Sequence, residues 1–213
     1  MSCASESTVF FDVDTQADFM RADGALYVPG AEAIVPNLKR LMDCARENDV
    51  PVISSADAHM PDDPEFKIWP AHCVAGTPGQ QRIPETAFAR PVVIPCRAGS
   101  FTAPARWQGQ FILEKATYAA QDNPNFDALL QALGRRHAVV FGVATEYCVR
   151  AVTLELCRRG LDVDVVVDAI QPITRQGGDQ ALAEMAAAGA HRVTAVEACA
   201  RLCRTDAPHV VTH

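Results

Sequence analysis

Short apolar runs of β-branched character alternate along this chain with segments whose apolar residues recur at helical spacing, and no feature constrains its fold more. Thr8 to Val13 reads as a buried strand, Ala31 to Asn48 as a helix with Ile34, Leu38, Leu41, Met42 and Ala45 on one face, and Val50 to Ser55 as the next strand. A long irregular section follows. Beyond it come a strand around Gln110 to Glu114, a helix near Asn125 to Leu133, a strand at Ala138 to Phe141 and a helix from Thr145 onward. A strand at Val163 to Val167, a helix from about Gln176 to Ala188, a short strand near Arg192 and a helix through Val196 to Leu202 complete the pattern. Such alternation predicts an α/β fold, a parallel sheet covered by helices on both faces. Ligands of these sheets sit outside the carboxyl ends of the strands, so an active site should gather its polar residues just after strands.

The 213 residues, 49% of them hydrophobic, suffice for the core of one α/β domain spanning 1–213, with short flexible termini at about 1–7 and 205–213. The 19 basic and 26 acidic side chains leave a net charge of −7, and no lysine or arginine cluster is long enough for a nucleic-acid footprint. No apolar run approaches a membrane span, and Met1 to Ser7 lacks the features of a signal peptide. The expectation is a cytosolic protein with neither a nucleic-acid nor a membrane partner. The eight cysteines form no CxxC pair or zinc-finger spacing and read mostly as packed thiols of a reducing compartment.

Polar residues do follow the strands. Asp14 ends the first apolar run, where an aspartate more often caps a turn. After the second strand, Asp57 and His59 project to the same side of an extended segment, a pairing that suits zinc, iron or manganese. Glu65 and His72 follow close behind. Lys115 closes the strand near Glu114, where its charge could favour a thiolate and pair with Asp14. In the segment Ala138 to Gly160, a strand stops at Gly142 and a helix starts with Thr145 as the expected N-cap, so Cys148 falls in the first turn. Unpaired backbone N–H groups and the positive end of the helix dipole should help that thiol ionise and could hold an oxyanion. The ordinary alternative is a buried structural cysteine.

Asp14 within VDTQADF, Lys115 within LEKATY and Cys148 within GVATEYCV resemble the Asp, Lys, Cys triad of the isochorismatase-like cysteine hydrolases, and DAH…WPAHCVAGTPG resembles their nicotinamidase branch. The resemblance implies a three-layer α/β/α fold with a six-stranded, mostly parallel, Rossmann-like sheet. It implies Cys148 as nucleophile, Asp14 as base and then acid, and Lys115 as the residue that orients and balances them. The oxyanion hole would map onto the N–H groups of Ala144 and Cys148, with a cis peptide between Val143 and Ala144. A divalent metal, zinc foremost with iron or manganese as alternatives, would be held by Asp57, His59, Glu65 and His72. Phe19 and Trp69, with Gln16 and Tyr147, would form the pocket for a flat ring. The implied substrate is a small amide, nicotinamide, and family members usually self-associate. Other readings stay open: a carbamoyl, ureido or maleamate-type amidase on the same scaffold, a redox-sensitive protein using Cys148 as a peroxide-reactive thiol, or hydrolysis by metal-bound water.

Overall fold

The computed structural model describes residues 7–202. Seven strands form one sheet: β1 (Thr8–Val13), β2 (Val52–Asp57), β3 (Val92–Ile94), β4 (Gln110–Lys115), β5 (His137–Val143), β6 (Asp162–Gln171) and β7 (His191–Val193). Their spatial order is β3-β4-β2-β1-β5-β6-β7, and every ladder is parallel. The six expected strands are present, and β3 is the seventh. It is illegible in the sequence because three residues between Pro91 and Pro95 make too short a run, and Val92 and Val93 stay exposed on the sheet edge. Residues 83–107, the proline- and alanine-rich later part of that irregular section, thus supply an edge strand, and Trp107 packs onto Phe111, ring centroids 5.0 Å apart.

Helices cover both faces: α1 (Ala17–Met20), α2 (Val35–Glu47), α3 (Phe126–Leu133), α4 (Arg150–Arg158), α5 (Arg175–Ala187) and α6 (Ala195–Leu202). A 3-10 turn, Ala31–Ile34, leads into α2, and Pro36 sits in its first turn, where a missing N–H costs nothing. Period-two alternation divides the buried residues between two cores. Phe10, Val52, Val139 and Phe141 face Leu38, Leu41 and Met42 of α2 and Ala198 and Leu202 of α6. Val9, Phe11, Ile53, Phe111, Leu113 and Val140 face Phe126 and Leu129 of α3, Val152 and Leu156 of α4 and Met185 of α5. Each such side chain, fully buried, contributes about 1.5–3 kcal/mol, which is why the central strands carry apolar residues on both faces.

Asp12 breaks the pattern, lying fully buried in the middle of β1. Arg82 pairs with it, Thr15 Oγ1 donates to it at 2.9 Å and Ser54 Oγ at 2.9 Å. Burial still pushes its carboxyl above the ordinary range, against the pull of Arg82. At the end of the two central strands Val13 pairs with Gly142. Gly142 has φ +118°, and a Cβ there would stand 2.1 Å from the Val13 carbonyl oxygen. Only glycine lets β1 and β5 end side by side.

Candidate active site

The order β4-β2-β1-β5 sets four strand ends side by side, and each delivers one polar residue. Lys115 and Asp57 are the last residues of β4 and β2 and are register partners; Asp14 follows β1; Cys148 lies in the turn after β5. Asp14 takes φ +49°, a left-handed conformation that aspartate tolerates, and this turns the chain at the sheet edge.

Lys115 is fully buried. Its Nζ lies 2.9 Å from Asp14 Oδ2 and 3.8 Å from Cys148 Sγ, and it pairs with Asp57 Oδ1. Burial alone would strip its proton, but the Asp14 and Asp57 charges outweigh that and hold the ammonium well above its ordinary value. Burial likewise opposes the charge of Asp57, yet the Lys115 ammonium beside it keeps that carboxyl far below the usual carboxylate range. Ser55 Oγ donates to Asp14 Oδ1 at 2.6 Å. Sequence reasoning misses this hydroxyl, though its place two residues before the β2 end is visible in the strand pattern.

Two expectations about Cys148 need correction. Thr145 is not the N-cap: Ala144 holds that position with extended angles, and the buried Thr145 hydroxyl has no hydrogen-bond partner among the described residues. The first turn, Thr145–Val149, is a π turn in which the Val149 N–H donates to the Ala144 carbonyl at 3.2 Å. Nor does the thiol ionise readily. Burial and the adjacent Asp14 carboxylate push it well above its ordinary value, against the opposing pull of Lys115. The peptide between Val143 and Ala144 is cis, and both residues line the same cavity as Cys148.

Beside the triad, Asp57, His59 and His72 bring one ligand atom each to within 4.8 Å of one another. His59 Nε2 and His72 Nε2 both stand 3.6 Å from Asp57 Oδ2. His59 Nε2 is a buried nitrogen without a hydrogen-bond partner among the described residues, while its Nδ1 meets Asp63 Oδ2 at 3.0 Å. His72 Nδ1 meets the Pro70 carbonyl at 2.8 Å. Each imidazole therefore has an acceptor on one side and an uncommitted nitrogen aimed at the carboxylate, the donor set of a divalent cation. Burial works against protonation of His59, yet the Asp57 and Asp63 carboxylates beside it push it up to about 9. Glu65 is not in that set; its carboxylate groups with His59 and Asp63 instead, although it lines the cavity.

The cavity above these groups measures about 180 Å³. An apolar cavity of about 150 Å³ accepts benzene, so this one has room for one ring with a small substituent. Phe19, Trp69 and Tyr147 line it, the last two edge to face with centroids 5.8 Å apart. Leu26, Val28, Tyr118 and Ile173 complete the wall, and none of these is singled out by sequence reasoning. Tyr118 alone carries a signal, standing three residues after Lys115. Gln16 points elsewhere: its Oε1 accepts from the Asp57 N–H at 2.7 Å and its Nε2 donates to the Asp57 carbonyl at 2.9 Å. It clamps the end of β2 rather than touching the cavity. No residue of the 83–107 section lines the cavity.

A family model described as the Isochorismatase domain matches residues 8–197. The chain is 29% identical over 204 residues to a nicotinamidase of Escherichia coli (strain K12), an alignment covering 84% of this chain and 90% of that protein. Among solved structures it is similar to a pyrazinamidase of Pyrococcus horikoshii in complex with zinc, with TM-score 0.74, 27% identity and coverage of 88% of this chain and 99% of the other. It is also similar to an N-carbamoylsarcosine amidase of Thermoplasma acidophilum, with TM-score 0.70, 26% identity and coverage of 89% and 96%.

Proposed function

This chain belongs to the isochorismatase family, and from that premise we propose that it hydrolyses nicotinamide, or a close analogue with one flat ring, to the acid and ammonia. The observation that carries the reading is the meeting of Asp14, Lys115 and Cys148 at one end of a ring-sized cavity whose wall also holds Asp57 and His72. The similarity to a nicotinamidase and to a zinc-bound pyrazinamidase supports it.

Cys148 adds to the amide carbonyl as its thiol proton passes to Asp14. The backbone N–H groups of Ala144 and Cys148 hold the oxyanion, a contribution of about 2.7–4 kcal/mol per donor. Asp14 then gives the proton to the departing nitrogen, ammonia leaves, and a thioester remains on Cys148. Asp14 next takes a proton from water, whose oxygen adds to the thioester carbonyl; the C–S bond breaks, the acid is released, and Asp14 returns the proton to the Cys148 sulfur. Lys115 stays protonated throughout and holds the Asp14 carboxylate toward the sulfur. Phe19, Trp69 and Tyr147 hold the ring by its faces and edges. Asp57, His59 and His72, with Glu65 beside them, would hold a divalent cation, zinc before iron or manganese, and such a cation would supply Lewis-acid binding of the ring nitrogen.

The deciding measurement is ammonia release from nicotinamide, before and after chelation and with each metal restored, in the native protein and in Cys148→Ala. Turnover that needs both the thiol and one metal supports the reading; full activity of Cys148→Ala would refute the mechanism. A second reading, a carbamoyl-amide hydrolase, draws on the similarity to the N-carbamoylsarcosine amidase. Ammonia from a carbamoyl substrate but none from nicotinamide would establish it.

A further inference from the structure

We propose that Asp63 is a positioning residue that orders, with its two carboxylate oxygens, His59 of the cation site through Oδ2 and Glu65 beside that site through Oδ1. The inference rests on the cation site described above and assigns a task to a residue outside it.

His59 lies just beyond β2, its backbone fixed by a parallel bridge to Val74, which leaves the ring itself to be oriented by side-chain partners. Its ring is fully buried, so its two nitrogens must be satisfied within the protein. Asp63 Oδ2 stands 3.0 Å from Nδ1. An ionised carboxylate only accepts, so Nδ1 must be the nitrogen that carries hydrogen, and in the neutral ring the lone pair is left on Nε2. That nitrogen is the one without a partner among the described residues, 3.6 Å from Asp57 Oδ2. Asp63 thus selects the tautomer that can donate a lone pair to a cation. His72 reaches the same state through the Pro70 carbonyl, a backbone acceptor that no side-chain substitution removes.

The second oxygen acts on the chain that follows. Asp63 Oδ1 accepts from the Glu65 N–H at 2.9 Å and caps the 3-10 turn Pro64–Lys67. This fixes where Glu65 departs from the backbone and faces the cavity. Phe66, in the same turn, lays its ring against both His59 and His72, with centroids at 5.3 and 5.8 Å. One carboxylate therefore joins the β2 end, the turn and the two imidazoles into a single arrangement. Outer partners of this kind are commonly worth about 10–100-fold in metal affinity.

The test is titration of Zn²⁺ into the chelator-stripped native protein and into Asp63→Asn and Asp63→Ser, followed by competition with a chromogenic chelator. Asparagine is nearly isosteric but offers one acceptor instead of two, so it either keeps the turn and presents N–H to N–H at His59, or the reverse. Serine keeps the cap and cannot reach the ring. Both variants are expected to bind Zn²⁺ about 10–100-fold more weakly, and the zinc-loaded native protein should show a protected His59 Nδ1–H resonance in ¹H–¹⁵N spectra that Asp63→Ser loses. A purely structural role would move the unfolding midpoint and leave Zn²⁺ affinity alone. If both variants bind within about threefold of the native protein, the assignment is wrong. Native protein that takes up no Zn²⁺ would overturn the metal reading and this inference together, whereas equal binding by all three overturns only the inference.

Discussion

Replacing Gly142 by alanine tests whether the closeness of β1 and β5 is what builds the site. The added Cβ would stand 2.1 Å from the Val13 oxygen and 2.8 Å from its carbonyl carbon, both backbone atoms that no rotamer change can move. Ordinary contact starts near 3.4 Å, so the strands must part by about 1.3 Å. Backbone strain at φ +118° adds about 1–3 kcal/mol. Weakened ladder bonds beside Val13 add about 0.5–1.5 kcal/mol each. Together they predict a loss of about 3–5 kcal/mol, at the upper end of what single substitutions do. The same displacement separates Asp14 from Cys148, and a misplacement of about 1 Å costs about 100-fold in turnover. Urea unfolding followed through Trp69 and Trp107 fluorescence gives the first quantity, and ammonia release the second. A variant within about 1 kcal/mol of the native protein and equally active would refute the claim that this contact sets the geometry.

Arg82→Met should cost about 3–5 kcal/mol, because it leaves Asp12 buried without its cation. The folded Asp12 carboxyl already sits above its ordinary value, and losing Arg82 raises it further, so the deficit should be largest at pH 7 and shrink on acidification as the folded state takes up the proton; urea midpoints at pH 7 and pH 5 read both. Asp14→Asn removes the proposed base and should lower kcat by about 10²–10⁴-fold, measured by single-turnover ammonia release, with Zn²⁺ affinity nearly unchanged. Lys115→Met strands two buried carboxylates and should destabilise by about 3–5 kcal/mol, and adding Asp57→Asn should restore part of that loss in chemical denaturation.

The sheet is readable because its strands are buried on both faces and so appear as continuous apolar runs, as at Val9 to Phe11 and at Ala138 to Phe141. Only β3 escapes, a three-residue edge strand between prolines. Charged residues placed after such runs are equally readable, and the structure brings Asp14, Asp57, Lys115 and Cys148 to adjoining strand ends. What escapes depends on contacts between segments distant in sequence. Gln16 looks like a pocket residue because it neighbours Asp14, but its amide serves the Asp57 backbone 41 residues away. Leu26, Val28 and Ile173 reach the cavity from loops whose course no periodicity records. Thr145 has the composition of an N-cap, and the π turn places it in the interior instead.

The acidity of Cys148 departs from expectation for a reason that magnitudes make plain. A helix terminus stabilises a negative charge by about 0.3–1 kcal/mol, whereas a like charge at about 4 Å costs about 4 kcal/mol at an effective dielectric near 20. Burial is the largest obstacle to a thiolate, and of the neighbouring charges Asp14 and Asp57 oppose it while Lys115 favours it. The resting sulfur therefore keeps its proton, and in the proposed mechanism Asp14 is its acceptor. In the proposed mechanism, attack requires the proton to leave as the carbonyl arrives, which would confine reactivity to the moment a substrate fills the cavity. Asp57 supplies the second of those charges, and it is also the carboxylate that faces the two imidazoles. Asp57, which opposes a thiolate after burial and Asp14, is thus also the carboxylate whose charge a bound cation would offset.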